Sequence, residues 1–243
     1  MNVFAAGLWG GLAALSLLLG AVLAMRFTLS NRVIGAVMGF GSGALISSIG
    51  YELVPESLVK GTGRSMALTF ALGTLTFFVA DWAIDARGGE KRKSLAGGQT
   101  GSGTAIFLGT LLDAIPESLI LGIGLAAGGT VSVAFLTAVF VSNLPEGIAG
   151  TRSLLDAGNS KRHVVWMWIA LVLVSAVTAA AGYVFVQEVP AADGRYARAF
   201  AAGAVLIMLT DVMMPEAFEH GGKMVGLLAT LGFLTAAVLS VME

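Results

Sequence analysis

The chain contains no cysteine, so it offers neither a disulfide framework nor a thiolate metal site. Charge is scarce too. Only 12% of the 243 residues are Asp, Glu, Lys or Arg, against roughly 25% in a typical soluble domain. Histidine occurs twice and proline five times. There is no H-E-x-x-H, no G-x-S-x-G and no G-x-G-D sequence, so the usual parts of a metal-dependent, serine or aspartyl intramembrane hydrolase are missing and the chain reads as a non-enzyme. No polybasic tail or nucleic-acid-binding motif is present, which excludes nucleic acid as a partner.

What the chain has in abundance is apolar surface: 56% of residues are hydrophobic and the mean hydropathy is +0.87. The stretches 3–25 and 164–186 carry no charge at all, and each is long enough to cross a hydrocarbon core of ~30 Å as a helix. Eight such segments follow one another, at 3–25, 33–59, 65–86, 104–127, 131–151, 164–186, 199–220 and 225–242. The pattern predicts an all-α integral membrane protein of eight transmembrane helices. Residues 1–243 make one polytopic domain, and its longest connection is a polar cytoplasmic loop at 87–103. The first segment has no basic run before it and no clear small-residue cleavage site, so it reads as a retained span.

Lys and Arg set the orientation. With the N-terminus outside, ten basic residues fall in cytoplasmic loops: Arg26, Arg32, Arg87, Lys91, Arg92, Lys93, Arg152, Lys161, Arg162 and Lys223. Four fall outside: Lys60, Arg64, Arg195 and Arg198. Both termini are therefore expected outside, and no basic residue is expected inside the membrane. The expected location is the plasma membrane, the inner membrane of a bacterium.

The acids behave differently. Glu52, Glu56, Asp81, Asp85, Asp113, Glu117, Glu146, Asp211, Glu216 and Glu219 all lie within the eight segments. A carboxylate near the bilayer centre costs at least ~2.5–3.5 kcal/mol on insertion scales. With no Lys or Arg expected among them, these groups must be protonated, hydrated or bound to cations.

Four of the five prolines precede a glutamate, at Pro55-Glu56, Pro116-Glu117, Pro145-Glu146 and Pro215-Glu216. Chance placement yields roughly 0.2 such pairs, so the dipeptide is an internal repeat. Proline removes a helix hydrogen bond and pushes away the carbonyl four residues earlier. A kink of this kind frees a backbone oxygen, which is tolerated at membrane depth only beside protein or water. A carboxylate next to the freed oxygen makes a cation site. Asp113 and Glu117 are four residues apart and share a helix face. The deep candidate set is Asp113, Glu117, Ser142, Asn143, Glu146 and Asp211. Glu52 and Glu56 lie in the outer half as a candidate mouth. Asp81, Glu216, Glu219 and His220 lie toward the cytoplasm as a candidate exit. Together the acids form a column across the membrane, as a cation path requires.

Eight spans with outer termini and Pro-Glu motifs on the fourth and fifth resemble the ZIP (Zrt/Irt-like) divalent metal transporters over essentially the whole chain. In that family the fourth span reads His-Asn-x-Pro-Glu-Gly and the fifth carries a polar pair before Pro-Glu-Gly. Here Glu117 and Glu146 match the two motif glutamates. Asp113 stands in place of the histidine and Ala114 in place of the asparagine. Ser142 and Asn143 match the polar pair, and Asp211 and Glu216 a polar cluster on the seventh span. The resemblance implies a 3+2+3 helix arrangement, inward metal transport by an elevator-like movement of one helix bundle against another, and a tendency to dimerise. It implies no cofactor beyond the transported metal. Zn²⁺ comes first on family grounds. The loss of imidazole hardens the site and keeps Mn²⁺ and Fe²⁺ in contention. A proton- or sodium-coupled carrier of another solute is the alternative, because buried carboxylates also relay protons.

Overall fold

The computed structural model describes residues 2–55, 63–89, 103–127, 131–189 and 194–242. Eight helices in it are long and apolar enough to cross a membrane, and the chain is an integral membrane protein on that count. They are α1 (Val3–Arg26), α2 (Asn31–Leu53), α3 (Gly63–Arg87), α4 (Gly103–Ala126), α5 (Val133–Asp156), α6 (Lys161–Glu188), α7 (Arg195–Gly221) and α8 (Met224–Met242). No strand occurs among the described residues. Local chemistry sets the starts. The side chains of Asn2, Ser30, Ser132 and Ser160 each accept a hydrogen bond from the backbone N–H three residues on, capping α1, α2, α5 and α6. Such caps satisfy donors that a helix start leaves unpaired.

The four helices that carry the Pro-Glu motifs, α2, α4, α5 and α7, are the ones most buried within the protein. In α1, α3, α6 and α8 most side chains face outward, including Leu72, Leu75, Trp82, Leu173, Val177 and Leu231. That is the apolar rim a bilayer requires, with every backbone group satisfied inside a helix.

Each inner helix is paired with one outer helix through two reciprocal glycines. A Cβ on Gly122 (α4) would overlap the carbonyl oxygen of Ala179 (α6), and one on Gly182 (α6) would meet that of Leu119 (α4). Gly147 (α5) and Gly20 (α1) stand in the same relation to Leu17 and Leu144. So do Gly43 (α2) and Gly232 (α8) to Ala229 and Phe40, and Gly203 (α7) and Gly73 (α3) to Phe70 and Phe200. The absence of a side chain lets the backbones touch, which is how membrane helices gain packing without a hydrophobic drive.

The eight helices fall into two groups. Helices α1, α4, α5 and α6 contact one another, and α2, α3, α7 and α8 form the second set. The groups meet chiefly where α2 lies on α5 and where α3 and α7 lie on α4.

The prolines are accommodated in two ways. Pro116 and Pro145 are buried inside continuous α-helix. Pro55 and Pro215 follow five-residue π turns, Ile49–Leu53 and Leu209–Met213. In both turns the next N–H reaches back five residues, Val54 to Ile49 and Met214 to Leu209. A π turn takes up one extra residue and rotates the helix beyond it. The separation of the two turns equals that of Pro55 from Pro215 and that of Gly43 from Gly203.

Two sequence expectations change here. The seventh span begins at Arg195 rather than 199, so Arg195 and Arg198 belong to the helix, and Arg198 is buried. Arg198, expected in an outer loop, thus stands in the first turn of α7 with its side chain buried. Hydropathy marks a boundary at the last charge, whereas the helix continues past it because a long side chain can fold back along its own surface. The second span is described only to Pro55, and Glu56 and most of the 87–103 loop lie outside the described residues.

The glycine contacts carry a stability expectation. Replacing Gly122 by Val forces α4 and α6 apart and should cost about 1–3 kcal/mol or more through overpacking. Gly124→Ala, where a new Cβ meets nothing within 4 Å, should be neutral or slightly stabilising. Thermal unfolding of the purified protein in detergent separates the two.

Candidate functional site

The deep candidates sit on the two inner helices whose prolines are buried. Asp113 and Glu117 on α4 are each 2% exposed, and on α5 Ser142, Asn143 and Glu146 are 0%, 3% and 2% exposed. Asp113 and Glu117 are four residues apart, and Glu146 is four from Ser142 and three from Asn143, so each glutamate shares a face with the polar residues before it. Helices α4 and α5 are in contact. Helix α2 closes over this region at Gly41, where a Cβ would come within 2.7 Å of Ser142 Cα. The Ser142 hydroxyl donates to the carbonyl of Val139 at 2.9 Å, so its own lone pairs are free to accept. Behind the motif, Trp168 Nε1 on α6 donates to Thr151 Oγ1 on α5 at 2.8 Å. That bond anchors α5 one turn beyond Glu146.

One oxygen of each deep acid (Asp113 Oδ1, Glu117 Oε1, Glu146 Oε1) is buried without a hydrogen-bond donor among the described residues, and all three residues also interact with their surroundings. The carboxylates are not gathered into a tight trio. Among the described residues the trio of His or acidic groups with ligand atoms within 4.8 Å of one another is Glu216, Glu219 and His220. What α4 and α5 offer instead is a mixed oxygen set of three carboxylates, an amide and a hydroxyl. Such a set suits hard divalent cations, and zinc accepts its carboxylates as well.

Asp211 is not one of the buried group. It lies in the π turn of α7 and is exposed. The added residue in that turn alters which way the side chains leave the helix, a shift that i, i+4 counting along α7 misses.

The inner-end candidates are placed as a cluster by α7. His220 Nδ1 lies 3.2 Å from Glu216 Oε1 and 3.2 Å from the Glu216 carbonyl oxygen. Glu219 is exposed beside them. Asp81 is separate, buried at 4% on the otherwise outward-facing α3. At the other end, Glu52 on α2 is half-buried and its Oε1 accepts a 2.6 Å hydrogen bond from Ser240 on α8. Glu52 lines a cavity of about 160 Å³ whose wall includes Leu53, Ile120, Leu121, Phe135 and Arg198. Ile120 and Leu121 follow Glu117 by about one turn of α4. His163 is exposed at the start of α6.

Sequence reasoning missed Arg198, and it missed Ser47 and Ser48. Those two hydroxyls on α2 are wholly buried and find no hydrogen-bond partner among the described residues. The apolar run around the serines hides them, since small hydroxyls barely alter hydropathy. Comparison with protein-family models and with curated proteins finds no match to this chain.

A cation held by the deep set should stabilise the fold. Metal at about 100 times its Kd adds ~2.7 kcal/mol to stability through linkage. Titrating Zn²⁺ or Mn²⁺ into the purified protein should raise its melting temperature. Glu117→Gln should abolish most of that rise, whereas Asp211→Asn should leave it unchanged.

Proposed function

We propose that this protein carries divalent metal cations across a membrane, as the ZIP transporters it resembles do. The observation that carries the reading is the burial of Asp113, Glu117 and Glu146 with Asn143 and Ser142 on two adjoining inner helices. Among the described residues the one buried basic side chain is Arg198. Three carboxylates at this depth each carry a penalty of ~2.5–3.5 kcal/mol or more. A divalent ion offsets that penalty directly, because it replaces water as the partner of several oxygens at once. Zn²⁺ is the first candidate cargo, with Mn²⁺ and Fe²⁺ next, since Asp113 replaces the imidazole of the family motif.

The remaining acids fit a route in this reading. Glu52 receives the ion at the outer cavity, and Glu216, Glu219 and His220 take it at the cytoplasmic end, with Asp81 on the way out. The reciprocal glycine pairs support a 3+2+3 arrangement. The contacts of α1 with α5 are repeated by those of α6 with α4, and the contacts of α2 with α8 by those of α7 with α3. The same repetition supports termini on one side, taken here as the outer side from the distribution of Lys and Arg. The two contact groups are suited to move against each other, which would bring the deep set to either face in turn.

A proton- or sodium-coupled carrier of another solute is the second reading. One observation favours it: Arg198 provides a buried cation able to hold an anionic group.

Metal uptake into proteoliposomes tests the main reading. Glu117→Ala and Glu146→Ala should each lower the initial rate by at least about tenfold, a loss of ~1.4 kcal/mol or more in transition-state terms. In competition among Zn²⁺, Mn²⁺, Fe²⁺ and Cd²⁺, Asp113→His should shift preference toward zinc. Unchanged uptake in both alanine variants would remove the deep set from the mechanism. Solute flux that needs no metal would favour the second reading.

A further inference from the structure

Two arginines bond across the two helix groups, one at each end of the molecule. Arg152 on α5 donates through Nη1 to Asn31 Oδ1 at the start of α2, at 2.9 Å, and through Nη2 to the Leu29 carbonyl at 2.6 Å. Arg198 on α7 donates through Nη2 to the Ile123 carbonyl of α4 at 3.4 Å. Helices α4 and α5 belong to one group and α2 and α7 to the other.

The setting of Arg198 is the more constrained. It is 8% exposed and stands in the first turn of α7. Its acceptor, the Ile123 carbonyl, lies in the last turn of α4, where it also accepts the Ala127 N–H at 3.1 Å and stands at the negative end of the helix dipole. A guanidinium there is held by charge as well as by geometry. Gly194, at φ 68, turns the chain into α7, and a Cβ on it would come within 2.6 Å of Ile123 Cγ2. The chain is thus shaped to seat the start of α7 on the end of α4. The same side chain forms part of the wall of the cavity that holds Glu52.

We propose that Arg198 is a positioning residue that latches the end of α4 to α7 and keeps the Glu52 cavity small, and that this contact is released whenever the two helix groups shift. Arg152 is the counterpart at the opposite end. The inference rests on the two-group reading of transport but not on the identity of the cargo. A buried arginine spanning two bodies that move must exchange its partner, because leaving it unpaired costs several kcal/mol.

The chain has no native cysteine, so a single introduced thiol reports local access. Gly124→Cys places it on the cavity wall, where an added Cβ meets nothing within 4 Å. Val189→Cys is an exposed reference at the end of α6. The probe is a water-soluble maleimide acting on the full chain purified in detergent without added metal. Arg198→Gln should raise the labelling rate of Gly124→Cys by about threefold or more, through a larger open population. It should leave Val189→Cys unchanged, and Arg152→Gln should not raise the Gly124→Cys rate. Arg198→Met, neutral and of similar reach, is read in the same way if Arg198→Gln does not fold. An unchanged Gly124→Cys rate overturns the latch. An equal rise at Val189→Cys, or an equal rise with Arg152→Gln, overturns it too, since either would mark general loosening. Because labelling needs no cargo, absence of metal uptake by the unaltered protein would count against cation transport and leave this result standing.

Discussion

The structure depends on the direct contact of glycine Cα with backbone carbonyl at four helix crossings. Each crossing presses an outer, lipid-exposed helix onto an inner one, at Gly122/Gly182, Gly147/Gly20, Gly43/Gly232 and Gly203/Gly73. That contact shelters α2, α4, α5 and α7 from lipid. Only sheltered helices can tolerate a proline that removes a backbone hydrogen bond and a carboxylate beside it. The distribution of small residues and the distribution of acids are therefore one design: the first creates the environment in which the second is permitted.

Much of this was legible in the sequence. The eight spans follow from uninterrupted apolar length, which a bilayer demands and which turns or charge must interrupt. The Pro-Glu dipeptides mark the four helices most buried in the protein, with Pro116 and Pro145 buried inside them and Pro55 just beyond the end of α2. The burial of Asp113, Glu117, Ser142, Asn143 and Glu146 agrees with their placement in mid-span. Helix ends were less legible. Arg198 was read as loop because hydropathy treats its charge as a stop, whereas in three dimensions the carbonyl of Ile123 and the cavity wall receive it. Asp211 was read into the deep set from its place near the middle of the seventh span, and in the structure it lies exposed in the π turn at Leu209–Met213. No local signal separates Pro215, which follows a π turn, from Pro145, which does not.

That difference between the prolines has a chemical meaning. On α4 and α5 the helix runs on through a buried proline, so residues on either side keep their i, i+4 register and a ligand set can be built across the kink. On α2 and α7 the π turn shifts the register, and the acids near the motif separate. Glu52 goes to a cavity and a partner on α8, Asp211 goes to the exterior, and Glu216 goes to His220. One dipeptide thus serves two ends. Where register is kept it concentrates oxygens, and where register is broken it distributes them along the protein.

The charge balance of the interior follows from the same economy. Among the described residues the one buried lysine or arginine is Arg198, which donates to the Ile123 carbonyl at the end of α4. A permanent ion pair at the deep set would satisfy its carboxylates and fill the space a cation needs. Among the described residues the one buried guanidinium stands at the margin and donates to a carbonyl at the end of α4, and in the transport reading proposed above the central oxygens take an exchangeable cation. A site made only to stabilise the fold would be better served by an internal base or by apolar side chains. In the transport reading, several acids are retained there at a cost in stability because their partner arrives and leaves.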